Sequence, residues 1–167
     1  MEGFVLKPKL LTHMLQNTLH HKITIGLLGN IITERYGDSA GMFDVKYGAY
    51  IPLVNGIRLL ALAFGLSETS TLTRLQKLGD LKAFPVVELG QLRLAFEFAL
   101  ELRSSTEHEY ENGLYNSPGM VDPDRMTKSD KRRLKQTLKT GMELQQAVRR
   151  AVERLAEESL KKRGGTP

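Results

Sequence analysis

The chain has 167 residues and 18.8 kDa, with 24 Lys plus Arg against 19 Asp plus Glu, for a formal charge of +5. Its 41% hydrophobic and 26% charged residues are those of an ordinary globular chain and exclude a disordered or collagen-like one, while zero Cys excludes disulfides, thiolate zinc sites and a thiol nucleophile. No run of about 18 apolar residues is present, which excludes a helical membrane span, and Lys7-Pro8-Lys9 stands where a secretory signal would need its apolar core, so we read the chain as cytoplasmic.

In chain order, the first predicted helix runs from about Lys9 to His21, with Leu11, Met14, Leu15, Thr18 and Leu19 at helical spacing. The apolar stretch Ile23 to Ile32 reads as a second, weaker helix, since Gly26 and Gly29 interrupt it. The passage Tyr36-Gly37-Asp38-Ser39-Ala40-Gly41 must be loop. After it, Met42 to Tyr50 alternates polar and apolar around Gly48, which fits a short hairpin or extended insert better than a helix. Pro52 suits a first helical turn, and Leu53 to Phe64 forms a helix closed by Gly65, with Leu53, Ile57, Leu60, Ala61 and Phe64 inward.

Ser67-Glu68-Thr69-Ser70 offers N-caps for a helix through Leu72, Leu75 and Leu78 to Gly79, with Arg74 and Lys77 on its polar side. From Val86 to about Arg103 the pattern carries two apolar stripes, one through Leu89, Leu92, Phe96 and Ala99, the other through Leu94, Phe98 and Leu102. Such a helix belongs in the middle of a bundle and also suits a homodimer. Ser104 to Met126, with Gly113, Pro118-Gly119 and Pro123, reads as the longest irregular stretch. Thr127 or Ser129 then caps a helix to about Lys162, striped by Leu134, Leu138, Met142, Gln145, Val148, Val152 and Leu155. The sum is an all-α, four-helix-bundle-like domain over residues 1–163. It has an extra N-terminal helix, a short extended insert, a core over about 10–155 and a tail at 164–167.

Charge is concentrated at one end. From Arg125 to Arg163 there are 13 Lys or Arg and 5 Asp or Glu, a net of +8 that leaves −3 for the rest. A basic last helix is either a solvated face or a surface for phosphates, nucleotides or an acidic partner protein. No Phe, Tyr or Trp follows Asp122, which argues against a single-stranded nucleic-acid groove, where bases need stacking platforms.

Enzyme signatures are absent: no P-loop, no Gly-x-Gly-x-x-Gly, no His-Glu-x-x-His and no Gly-x-Ser-x-Gly. His20 and His21 point about 100° apart on a helix and cannot share a metal simply, and Glu107-His108-Glu109-Tyr110-Glu111 reads equally as acid-base material or as an acidic loop. The feature with most chemistry is Asp44-Val45-Lys46-Tyr47-Gly48-Ala49 with Arg58 beyond it. Lys46 and Arg58 flanking a turn could hold an anion or carboxylate, or could simply pair with Asp44.

These residues resemble a family signature. Phe43-Asp44-Val45-Lys46-Tyr47-Gly48-Ala49-Tyr50-Ile51-Pro52-Leu53-Val54 is followed by Arg58-Leu59-Leu60-Ala61-Leu62-Ala63, then by Thr69, Thr71, Leu72, Arg74, Leu75 and Leu78. Next come Ala95-Phe96-Glu97-Phe98, Leu100 and Leu102-Arg103, and last Val121-Asp122-Pro123-Asp124 leading into Lys131-Arg132-Arg133-Leu134-Lys135. In this order, over roughly residues 10 to 155, they are similar to the putative nucleotidyltransferase substrate-binding domain, the C-terminal helical bundle of bacterial proteins that often carry CBS and cyclic-nucleotide-binding modules. The chain departs from the pattern at Ser104-Ser105-Thr106 after Arg103, and at Lys131, where the family has Arg.

The resemblance implies a noncatalytic half that works beside a catalytic domain like that of protein-PII uridylyltransferase, in cis or in trans. Such a catalytic domain uses a Gly-Ser pair and an Asp-x-Asp whose carboxylates hold magnesium. This chain has no Gly-Ser, and Asp122-Pro123-Asp124 matches Asp-x-Asp by letter only, so no cofactor is expected here and magnesium only on the separate domain. The chain opens where the bundle opens, which fits a piece of a longer protein or a lone domain. Lys46, Arg58, Arg74, Arg103 and Lys135 are the expected contacts to a phosphate, nucleotide or acidic protein substrate. The alternative is a signalling interaction module that docks an acidic partner through Lys131, Arg132, Arg133 and Arg149.

Overall fold

A computed structural model describes residues 8–20, 23, 25–26, 29–82, 85–113 and 118–164. In chain order these form helix α1 (Pro8–His20), strand β1 (Phe43–Asp44), a π-turn (Lys46–Tyr50), helices α2 (Ile51–Ala63), α3 (Thr71–Asp80) and α4 (Val86–Glu111), strand β2 (Met120–Val121) and helix α5 (Lys128–Gly164). The fold is all-α, as the periodicities predict. His21 and, of the expected tail 164–167, residues 165–167 lie outside the described residues, while Gly164 ends α5.

The 37-residue α5 is the spine, about 55 Å long at 1.5 Å per residue, and α1, α2 and α4 all pack along it. Its start is fixed by a reciprocal cap: Thr127 Oγ1 accepts from the Asp130 N–H at 3.1 Å and donates to Asp130 Oδ2 at 2.7 Å. The buried stripe runs through Leu134, Leu138, Gly141, Leu144, Val148 and Val152. Sequence periodicity placed Met142 and Gln145 on it instead. The register differs where Gly141 faces the core, so close to the Ile23 side chain that a Cβ would collide with it, while Leu53 lies at ordinary contact distance. Met142 is consequently exposed.

Three other elements differ from expectation. The described residues of Ile23 to Ile32 are not helical: Gly26 N–H donates to the Asn30 carbonyl, and Ile25 bridges Ile31 across a turn with Gly29 at φ 72°. The two glycines that weaken a helix here make a loop instead. Met42 to Tyr50 does include extended residues, but β1 pairs with β2 from beyond α4 rather than with its own sequence neighbours: Phe43 faces Val121, and Asp44 faces Met120. The π-turn follows directly. Helix α4 continues past Arg103 to Glu111, over residues read as loop. Tertiary burial overrides the weak helix propensity of Ser104-Ser105-Thr106: Thr106 is 1% exposed, its Oγ1 donates to the Arg103 carbonyl at 2.9 Å, and Ser105 Oγ to that of Leu102 at 3.4 Å. Of the two apolar stripes of α4, Leu92, Phe96, Phe98 and Ala99 are buried while Leu94 is 68% exposed.

Candidate functional site

The site begins where β1 turns into α2. Asp44 Oδ1 accepts from the Tyr47 N–H at 2.8 Å, so Asp44 caps the turn. The Ile51 N–H donates to the Lys46 carbonyl, five residues back, which closes the wide ring of a π-turn. Such turns are rare and recur at functional sites. Buried Gly48 and Ala49 supply the small residues that let this turn sit against the bundle. Gly119, at φ 78°, lies against the Lys46 side chain from the β2 side, and its carbonyl accepts from the Val45 N–H at 2.9 Å.

Lys46, Tyr50, Val54 and Arg58 follow one another at intervals of four through the π-turn and α2. In a plain α-helix four residues overshoot a full turn by about 40°, so a series of this length would wind off its face. The slower winding of the π-turn takes the first step back and keeps Lys46 nearer the face that carries Arg58. Tyr50 stacks on Phe96 of α4, ring centroids 6.1 Å apart, and the Arg103 guanidinium lies 4.7 Å from the Tyr50 ring centroid. Arg103 Nε also donates to Glu107 Oε1 at 3.0 Å. Lys46 Nζ lies 5.1 Å from the Tyr47 ring centroid.

The second half of the site is the α2–α3 corner. Helix α2 ends in a Schellman motif: Gly65 N–H donates to the Leu62 carbonyl, Leu66 N–H to that of Ala61, and Gly65 takes φ 75°. The chain then returns through Glu68 to Ser70, whose Oγ accepts from the Thr73 N–H at 3.5 Å at the start of α3. Arg74, expected on the polar side of α3, is instead 8% exposed. Burial first, and the like charge of Arg58 next, pull its guanidinium below the usual arginine range, while the Glu68 carboxylate opposes them. Arg74 Nε and Glu68 Oε2 are both buried without a hydrogen-bond partner.

Of the five residues expected to contact substrate, Arg103 lies on Tyr50, Lys46 turns to Tyr47 in the same π-turn, and Arg58 and Glu68 are near enough to Arg74 to act on its charge. Lys135 is partly buried on α5, engaged in no hydrogen bond or ion pair of the described residues. Asp44 serves the turn and pairs with neither Lys46 nor Arg58. Tyr50 and Glu68 were missed as site residues. The signals available were Tyr50's spacing of eight from Arg58 and an acid six residues before Arg74.

The residues expected to dock a partner are in mixed states. Lys131 Nζ donates to Asp124 Oδ1 at 2.8 Å, and that hydrogen bond holds the Asp124 carboxyl below the usual aspartate range. Arg133 bridges Glu101 at 3.1 Å and Asp130 at 3.5 Å, and its guanidinium lies 4.2 Å from the Phe98 ring centroid. Arg132 and Arg149 are exposed. Lys128, Arg132, Lys135 and Lys139 share one face of α5 at helical spacing. Cavities of about 220 and 300 Å³ lie between α4 and α5, beside Arg133 and Arg150, away from the Lys46–Arg58 strip. Asp122 Oδ1 accepts from the Asp124 N–H at 2.9 Å within its own loop. Among the described residues no group of three His, Asp or Glu could hold a metal, and no helix is long and apolar enough to cross a membrane.

Comparison with known proteins adds one finding: the family model described as "Putative nucleotidyltransferase substrate binding domain" matches residues 8–152. Neither a search of curated proteins nor one of solved structures returns a match. Because the family match runs from the first turn of α1 to Val152, the last fully buried residue of α5, the chain belongs to the putative nucleotidyltransferase substrate binding domain family.

Proposed function

We propose that the chain is the noncatalytic, substrate-positioning bundle of a nucleotidyltransferase of the protein-PII uridylyltransferase type, acting in bacterial signal transduction in the cytoplasm, in proteins of the kind that carry CBS modules. The observation that carries this reading is the basic strip itself: Lys46 and Arg58 on one side of the π-turn and α2, with Arg103 and Arg74 closing on it from α4 and α3. Such a strip attracts a polyanionic substrate and fixes its orientation, which is the contribution a noncatalytic domain makes to a transfer reaction. Magnesium and the reacting groups belong to the catalytic domain, in cis or in trans. The test is thermal unfolding with ATP, UTP, CTP and cyclic nucleotides, with and without magnesium. Saturation at 100 times the dissociation constant stabilises by about 2.7 kcal/mol. The expected result is a shift with one nucleotide that needs no magnesium and disappears when Lys46 and Arg58 are both changed to Ala. A shift untouched by that double change would remove the strip from the site.

A second reading rests on the face of α5 that carries Lys128, Arg132, Lys135 and Lys139, where Arg132, Lys135 and Lys139 have no carboxylate partner among the described residues. It gives a module that docks an acidic partner, with salt-sensitive affinity. A complex whose affinity is unchanged by salt and by Arg132→Glu with Lys135→Glu would eliminate it.

A further inference from the structure

Helices α4 and α5 run antiparallel, with Phe98 and Glu101 beside Arg133 at one end and Glu88 beside Glu143 and Arg150 at the other. The cavities of about 220 and 300 Å³ between them share Gln91 and Thr140 in their walls, so they form one groove. Ala95 of α4 and Thr137 and Thr140 of α5 are the small side chains that leave it open. Along α4 it reaches from Glu88 to Phe98, about 15 Å at 1.5 Å per residue. A channel nearly three helical turns long takes a helix better than a compact ligand. Its rim is apolar as well: Leu94 is 68% exposed, and Val87, two turns earlier on the same side of α4, is 71% exposed. Large apolar side chains left in water beside a groove mark a contact surface.

Charge identifies the occupant. Arg133, in the groove wall, is already neutralised by Glu101 and Asp130. Arg132 and Lys139 stand about one turn before and after Gln136, which lines the groove. Both are exposed, and neither has a carboxylate partner among the described residues. At the far end Arg150 stands with Glu88 and Glu143, so no positive excess is left there. The free cations therefore flank one end of an otherwise apolar and neutral channel. We propose that the α4–α5 groove docks an amphipathic helix of a partner protein, its apolar stripe against Leu94 and the cavities, and carboxylates at one of its ends on Arg132 and Lys139. This rests on the second reading above, in which α5 docks an acidic partner, and adds the apolar half of the contact.

The test is fluorescence anisotropy of a labelled synthetic peptide of about five helical turns, titrated with the whole chain. The peptide carries leucines at intervals of three and four and glutamates through its first two turns. Wild type is compared with Leu94→Ser and with Arg132→Glu plus Lys139→Glu, each checked for helical circular dichroism. All three positions are exposed, so folded variants are expected. Either variant should weaken binding about tenfold or more, the loss of an apolar anchor or of a pair of complementary charges. Added salt should weaken it too, and so should changing the peptide's leucines to Ala or its glutamates to Gln. Affinity that falls with charge reversal but not with Leu94→Ser overturns the groove and leaves the acidic-partner reading standing. Affinity untouched by the charge reversal sinks that reading and the proposal with it. Absence of binding at high micromolar concentration overturns the proposal. So does a dimer in sedimentation velocity that Leu94→Ser dissolves, because a second copy of the chain then fills the groove.

Discussion

Gly56 of α2 occupies the position where Leu144 of α5 packs: a Cβ on Gly56 would stand 2.7 Å from Leu144 Cδ2 and 3.0 Å from its Cγ. The two helices touch through this contact, and the leucine branch point leaves no room to rotate away. Gly56→Ala is therefore expected to destabilise by about 1–2 kcal/mol, the range of overpacked cores. Ala is otherwise favoured over Gly in a helix by about 1 kcal/mol. Gly90 supplies the contrast, since a Cβ there meets nothing within 4 Å. Gly90→Ala should stabilise by up to about 1 kcal/mol. Urea midpoints of the two variants moving in the same direction would refute the packing account.

The start of α5 depends on one hydroxyl. Thr127 Oγ1 both accepts from the Asp130 N–H and donates to its carboxylate. Thr127→Ala should cost about 1 kcal/mol, and Thr127→Ser should retain most of the stability. Differential scanning calorimetry of the pair of variants separates loss of the cap from loss of the methyl group.

Acid should act on the same end of the molecule through Asp124 and Lys131. The folded carboxyl is depressed by the Lys131 hydrogen bond. A carboxyl with a depressed folded pKa adds stability above its unfolded pKa of about 3.9 and loses it as pH falls through the lower folded value. The pair's contribution is thus complete at neutral pH and fades only below about pH 4. Asp124→Asn should lower stability slightly at neutral pH and flatten this acid limb. A carbon-detected NMR titration should place the Asp124 midpoint below that of a free aspartate, and Lys131→Met should raise it. The same midpoint in both proteins would show that the contact does not persist in solution.

The two basic surfaces should separate cleanly. Arg132→Glu with Lys135→Glu is expected to abolish salt-sensitive capture of an acidic partner without changing α5, whose first turn is held by Thr127 and whose Arg133 stays on Glu101 and Phe98. Lys46→Ala with Arg58→Ala should abolish nucleotide-induced stabilisation and leave partner capture intact. Surface plasmon resonance for the partner and thermal shift for the nucleotide, on both double variants, would show one shared surface if each variant lost both activities.

Periodicity sufficed for the helices that bury one clean stripe. Leu53, Ile57, Leu60 and Ala61 point α2 inward as their spacing requires, and Gly65 ends it in a left-handed residue. The failures share a cause: what decided them was a tertiary neighbour. Thr106 is helical because it is buried against the bundle, and Gly141 carries the α5 stripe where the Ile23 side chain takes the space of a Cβ. Arg74 is buried as well, with Arg58 and Glu68 near enough to act on its charge. In the site, the family motif named Lys46, Arg58, Arg74 and Arg103 by their letters, whereas Tyr50 and Glu68 take their meaning from which helices cross there. The β1–β2 ladder was half legible: extended character could be read around Phe43, but its partner Val121 lies beyond α4, where local patterns do not reach.

The π-turn at Lys46–Tyr50 also makes the molecule tolerant of a change in length at one place. A wide turn holds a residue that a plain helix has no need of, so removing one residue from it would let β1 feed straight into an unbroken helix. The bundle would tolerate that edit, since Leu53, Ile57 and Leu60 lie downstream and keep their phase. Lys46 would then stand eleven residues from Arg58 in a plain helix, about three turns and 20°, and would keep to the strip it shares with Arg58. In this region the loss of one residue would thus preserve both the architecture and the alignment of the charges, and the spare residue is held by the turn without being needed for phase.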